Sequence, residues 1–152
     1  MKNKKVLFGG AFDIFHWMHL KSIEQAKSHG GYIVVAVNSD RLIKEYKGKD
    51  PIFTENERME IIKNLKFVDE VILKDKFDDI DLIKDYNIDV FVIGDEWPDK
   101  KQSEKELIKS LGGEMIVMPY LYAERMPKVK ERVKWLLEQK QKVLCEECGR
   151  KV

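Results

Sequence analysis

Five short apolar runs alternating with stretches of helical periodicity predict an α/β chain, with a five-stranded parallel sheet between two layers of helices. Two further observations support this. The runs at residues 6–8, 32–37 and 90–93 are continuously apolar, as strands covered on both faces must be. Strands of that kind joined by helices form right-handed parallel units. The expected architecture is therefore Rossmann-like, three layers in the order αβα, and 152 residues are enough for one such core.

Each element has its own local reason. The first run breaks at Gly9-Gly10, and a helix is predicted from about His16 to His29. Gly30-Gly31 separates it from the second strand, residues 32–37. A short helix over 40–46 leads into a polar loop carrying Lys47 and Lys49. Thr54 and Glu57 have the spacing of a capping box, opening a helix with Met59, Ile61, Ile62 and Leu65 on its stripe. A third strand is predicted over 70–73 and a helix over 79–86 with Ile80, Leu82 and Ile83. The fourth strand, 89–93, ends at Gly94-Asp95-Glu96-Trp97-Pro98. Ser103 and Glu106 predict a second capping box, with a helix ending at Gly112-Gly113. A fifth strand over 114–118 stops at Pro119, and a last helix starts near Pro127 with Val129, Val133, Leu136 and Leu137 on one face.

Composition excludes several classes. With 43% hydrophobic and 36% charged residues the chain has the balance of a globular protein, not a disordered one. A net charge of +1 provides no field that would gather nucleic acid or an anionic membrane. Residues 128–151 do carry eight Lys or Arg against four Glu, a bias read as a solvated helix face. No run is long enough for a membrane span and Met1 leads directly into a strand, so a cytoplasmic protein is expected. Cys145 and Cys148 form the only cysteine pair; free thiols come first, with a local disulfide or a zinc shared between chains as alternatives. The first strand is not followed by G-x-G-x-x-G, which disfavours a nicotinamide or flavin dehydrogenase.

The chemistry concentrates at residues 6–19. A strand turning through glycines into a helix N-terminus gathers backbone N–H groups and partial positive charge at one point, an arrangement that holds phosphate. His16 and His19, three residues apart on one helical face, can both reach one anion. A plain turn with a surface histidine pair, or half of a metal site, remains open on these residues alone. Asp95 and Trp97 are candidates by position, because ligands in open parallel sheets lie beyond the carboxyl ends of strands.

Taken together, Gly10-Ala-Phe-Asp13, His16-Trp-Met-His19, Lys47-Gly-Lys49, Arg58, the F-V-D-E-V of residues 67–71 and the N-I-D-V-F-V-I-G-D-E-W of residues 87–97 resemble the cytidylyltransferase family of nucleotidyltransferases, glycerol-3-phosphate cytidylyltransferases most of all. The resemblance covers residues 5–130. It implies a nucleotidyltransferase domain over residues 1–130, followed at 131–152 by a basic helix and a Cys-containing tail. It further implies transfer of a nucleotidyl group, usually from CTP, to a phosphorylated alcohol with release of pyrophosphate, with Mg2+ accompanying the nucleotide. His16, His19, Lys47 and Lys49 are then the catalytic set. Gly10, Ala11, Phe12, Trp17, Met18, Asp95, Trp97 and Arg125 are the nucleotide contacts, and no residue is assigned as a metal ligand. A homodimer is implied, while nucleic acid and membrane insertion are not. The sequence departs from the family in three places. Met18 replaces the glycine of H-x-G-H, Glu124 to Pro127 replace a Ser/Thr-rich segment, and Asp79 falls where a substrate lysine is expected. These departures leave open a nucleotide-binding or scaffold protein with weakened catalysis, and an ATP-using adenylyltransferase.

Overall fold

The computed structural model describes residues 4–119, 129, 131–135 and 138. The chain divides into two compact units, Met1–Pro119 and Tyr120–Val152. In the first, β1 (Lys5–Gly10), β2 (Tyr32–Asn38), β3 (Glu70–Lys74), β4 (Val90–Gly94) and β5 (Glu114–Met118) alternate with α1 (Trp17–Lys27), α2 (Asp40–Lys47), α3 (Glu55–Lys63), α4 (Ile80–Asp85) and α5 (Gln102–Ser110). All four pairings are parallel and the spatial order is β3-β2-β1-β4-β5, so the Rossmann-like three-layer reading is correct. In the second unit, residues 129, 131–135 and 138 are helical, with Val129 and Val133 exposed. Pro127, Leu136, Leu137, Cys145 and Cys148 lie outside the described residues.

The period of two in each strand builds two cores. Val6, Phe8, Ile33, Val35, Val90 and Val92 face one side with Ile23 of α1 and Ile62 of α3. Leu7, Val34, Ala36, Phe91 and Ile93 face the other with Ile83 of α4 and Ile108 of α5. Continuous apolar runs are therefore the expected pattern, since both faces of the central strands are covered.

Helix ends follow the predicted signals with one exception. Ser39 caps α2 by accepting from the Leu42 N–H, and Gly48 closes the same helix at φ 70°. Thr54 and Glu57 form the predicted capping box. The second predicted box is absent: α5 starts at Gln102, so Ser103 lies inside its first turn with no side-chain cap at Lys101. The physical reason is Glu104, which is buried and committed to the Lys101 ammonium at 2.8 Å and to the Asp79 N–H at 3.2 Å, pulling the start of the helix forward. On α3, Ile61 is exposed, and the buried stripe runs instead through Arg58 and Ile62.

Candidate active site

Strand order reverses at β1, which has β2 on one side and β4 on the other. The crevice beyond the carboxyl ends of β1 and β4 is where open sheets of this kind bind ligands. The loop that leaves β1 at Gly10 passes through two residues in the left-handed region, Phe12 at φ 52° and Ile14 at φ 47°. For β-branched and aromatic side chains that backbone is strained, and it persists only when its surroundings over-determine it.

Two side chains do so. Asp13 accepts from the N–H groups of Ile14, Ile52 and Phe53 at 3.1, 3.0 and 3.0 Å. Burial works to raise its pKa, but those three amides and the Arg58 charge outweigh it and hold the carboxyl below its ordinary value. Arg58, 0% exposed, donates to the Ala11 carbonyl at 2.5 Å, to the Phe53 carbonyl at 2.9 Å and to the Asp40 carboxylate at 2.7 Å. The loop after β1 and the loop before α3 are thus fastened to each other from both sides. Beneath them Phe12 is buried, and a Cβ on Gly10 would lie 3.0 Å from its ring, so a side chain at this strand end would crowd Phe12.

His16 is the N-cap of α1 in extended conformation, and His19 stands one turn later. Their rings stack at 3.9 Å between centroids, with planes 21° apart. The His16 N–H donates to His19 Nδ1 at 3.4 Å, which leaves the His19 proton on Nε2. His16 Nδ1 is buried and finds no partner among the protein's groups. Phe12 and Phe15 flank His19, each 5.6 Å away between centroids. Burial, then the His16 and Lys47 charges, push His19 down to about 4, and burial lowers His16 as well. Both rings are therefore neutral at pH 7, and they stand at the positive end of a helix.

Of the predicted residues, Gly10, Ala11, Phe12, His16 and His19 come together here, and Lys47, in the last turn of α2, is near enough for its charge to bear on His19. Trp17, 44% exposed, opens α1. Met18 is 8% exposed, so its side chain is packed into the protein. Lys49 sits exposed in the loop after α2, with no contact tying it to the histidines. Asp95 is exposed just beyond β4, whereas Trp97 packs against the α4/α5 core and meets Tyr46 and Phe77. Arg125 and the 124–127 segment lie outside the described residues.

Sequence reasoning left several residues without a role: Asp13, Arg58, the aromatics Tyr46 and Phe77, and a buried quartet of Lys74, Asp79, Lys101 and Glu104. Its Lys74 ammonium meets Asp79 at 2.5 Å, and Lys101 meets Asp79 and Glu104 at 2.8 Å each. A signal did exist. Arg58 precedes the buried Ile62 by four residues, and Glu104 precedes the buried Ile108 by four, so both charges occupy positions on an apolar helix face.

The sequence profile of the cytidylyltransferase-like family matches residues 7–139. The chain is 34% identical over 140 residues to FAD synthase of Thermococcus sibiricus, covering 90% of this chain and 95% of that one. It is 36% identical over 132 residues to glycerol-3-phosphate cytidylyltransferase of Bacillus subtilis, covering 86% and 97%. Among solved structures, the lipopolysaccharide core biosynthesis protein from Thermoplasma volcanium superposes with a TM-score of 0.64 at 31% identity, over 76% of this chain and 94% of that one. No helix among the described residues is long and apolar enough to cross a membrane. With a parallel sheet in this order, a histidine pair at the switch point and relatives of matching length, the chain belongs to the cytidylyltransferase-like family and is a nucleotidyltransferase.

Proposed function

We propose that the protein transfers a cytidylyl group from CTP to the phosphate of a small phosphorylated alcohol, glycerol 3-phosphate or a close analogue, and releases pyrophosphate. The observation that carries this is the stacked imidazole pair at the start of α1, one nitrogen of which is buried without a protein partner. Two neutral imidazoles at a helix N-terminus set N–H groups where the partial positive charge of the helix already favours an anion.

In this reading the triphosphate lies against the α1 N-terminus and the two imidazoles. An anionic phosphate oxygen of the acceptor attacks the α-phosphorus, a new P–O bond forms, the α–β bridging bond breaks, and pyrophosphate leaves with the electron pair. The acceptor is already ionised near neutral pH, so no side-chain base is required; the barrier is one of alignment and charge repulsion. Neutral imidazole N–H groups and first-turn amides stabilise the charge that gathers on the departing oxygens. Lys47 and Lys49 carry the acceptor phosphate, and Asp95 and Trp97 border the other side of the crevice. The Asp13 oxygens are occupied by backbone amides, and no group of three or more potential ligands occurs among the described residues. Mg2+ would accompany the triphosphate and supply charge neutralisation there. A homodimer belongs to the same reading, and sedimentation tests it.

A second reading, adenylyl transfer from ATP to flavin mononucleotide, is favoured by relatives named FAD synthase at 34% identity. Pyrophosphate release measured with CTP and ATP, each paired with glycerol 3-phosphate and with flavin mononucleotide, separates the two. CTP with glycerol 3-phosphate is expected to be fastest, and a faster ATP–flavin pair refutes the first reading. His16→Ala and His19→Ala should each lower turnover about a hundredfold or more. Unchanged rates in both variants would remove the imidazole pair from the mechanism.

A further inference from the structure

The family profile ends at residue 139, and Cys145 and Cys148 stand beyond it. Nucleotidyl transfer gives these two thiols no task. They occur as Cys145-Glu-Glu-Cys148-Gly149. Two residues between cysteines is the separation with which one segment offers two sulfurs to a single zinc ion, and a glycine directly after the second permits a tight turn at the metal. Lys140, Lys142, Arg150 and Lys151 flank the pair in sequence. Positive neighbours favour the thiolate, which is the form that binds metal. A closed structural zinc site takes four ligands, however, and this chain contains two cysteines, half of a thiolate set.

A second observation comes from the helix that precedes the pair. Val129 and Val133, four residues apart, are each 50% exposed. By helical spacing Glu131, Lys134 and Glu138 fall on the opposite side, where Lys134 and Glu138 pair at 4.0 Å. An apolar ridge backed by a charged face is the pattern of a helix that packs along one side. Two copies related by a two-fold axis bring identical ridges together and supply the missing pair of thiolates by the same operation. Charge points the same way. Residues 128–151 hold eight Lys or Arg against four Glu, so two such segments repel each other, and zinc with its thiolates adds net negative charge that offsets the repulsion.

We propose that Cys145 and Cys148 from two copies of this chain bind one zinc ion between them, with the helices that carry Val129 and Val133 pairing alongside. Each thiol releases its proton to solvent and each sulfur donates an electron pair to the ion, so no oxidant or reductant takes part. With every position filled by thiolate the ion has no place for a reacting water, and its role is structural. The proposal does not depend on which nucleotide or acceptor the enzyme uses.

The test takes the full chain, purified with a thiol reductant and reconstituted with Zn2+. Metal content is measured by mass spectrometry and association by sedimentation. One zinc is expected for every two chains, and protein loaded with Co2+ instead should show the visible absorption of a tetrahedral thiolate site. Cys145→Ser and Cys148→Ser should each lose the ion. An ion held by the pair of copies stabilises that pair by mass action, so chelation should weaken the dimer about tenfold or more. Val129→Glu combined with Val133→Glu should weaken the zinc-loaded dimer as well. Pyrophosphate release by the two serine variants should stay within about twofold of the wild type, so a failure of this proposal and a failure of the catalytic reading are told apart. The proposal is overturned by protein that takes up no zinc, by zinc retained in both serine variants, or by a dimer constant that chelation does not move. One zinc per chain, the ratio for two thiolates completed by Glu146, Glu147 or water, overturns it equally.

Discussion

Acidifying the ligand-free protein from pH 7 to pH 4 should cost about 3 kcal/mol of stability through His19 alone. Its imidazole is moved from 6.5 to about 4, chiefly by burial and then by the His16 and Lys47 charges. Each unit of that displacement is worth about 1.4 kcal/mol. The unfolded chain takes up a proton at His19 as the pH falls through 6.5, while the folded protein does not until about 4. The stability is therefore fully present above 6.5 and is lost progressively down to about 4. His16, lowered by burial, adds in the same direction. Asp13 does not interfere: its depressed pKa keeps its contribution intact until the pH drops below the ordinary 3.8. Urea unfolding followed at intervals from pH 4.5 to 7.5 measures the slope, and His19→Asn, which cannot titrate, provides the comparison. The variant should lose most of the wild-type dependence between pH 5 and 6.5. Parallel stability profiles for the two proteins would refute the claim that a buried neutral imidazole governs this window.

Two further outcomes follow from the same site. Arg58→Met leaves the Ala11 and Phe53 carbonyls and the Asp40 carboxylate without their donor, and should cost about 3–5 kcal/mol, measured as a drop in unfolding free energy. Arg58→Lys keeps the charge but not the three-way geometry, and should fall between the two. In the proposed reading, nucleoside triphosphate places anions beside His16 and His19 and would so raise both pKa values. Calorimetry near pH 6 in two buffers of different ionisation enthalpy should therefore record net proton uptake, and uptake that persists unchanged in His19→Ala would argue against this origin.

The sheet was legible because its signal is simple: strands covered on both faces must be apolar throughout, and residues 32–37 and 90–93 are. The histidine pair was legible for a similar reason, since three-residue spacing fixes a shared helical face whatever the tertiary context. What could not be read was every feature that depends on which segments meet. Nothing local to Asp13 states that it will receive the amides of Ile52 and Phe53, about forty residues away. Asp79 illustrates the same limit: aligned to a substrate lysine, it looks like a lost cation, yet it is 2% exposed between Lys74 and Lys101 and carries no acceptor-facing charge of its own. The misplaced capping box has this cause as well. Ser103 and Glu106 satisfy the local pattern, but the buried partners of Glu104 decide where α5 begins.

Met18 is the departure that bears most directly on nucleotide binding, and its burial allows a definite expectation. A side chain projecting into an open crevice would be wetted in the ligand-free protein, whereas Met18 is 8% exposed and so is packed into the protein. Met18→Gly should then act mainly on stability. It removes a buried side chain, at about 2–5 kcal/mol for truncation to alanine, and adds about 1 kcal/mol for glycine near the start of α1. Nucleotide affinity, measured by calorimetry well below the lowered unfolding midpoint, should change by less than about threefold. A large gain in affinity would mean that the methionine occupies ligand space, and a large loss would mean that it props the imidazole pair. An unchanged affinity beside a lowered midpoint would place the specificity of the crevice in the backbone of residues 10–13 and the two imidazoles, with the third place of the motif given over to packing.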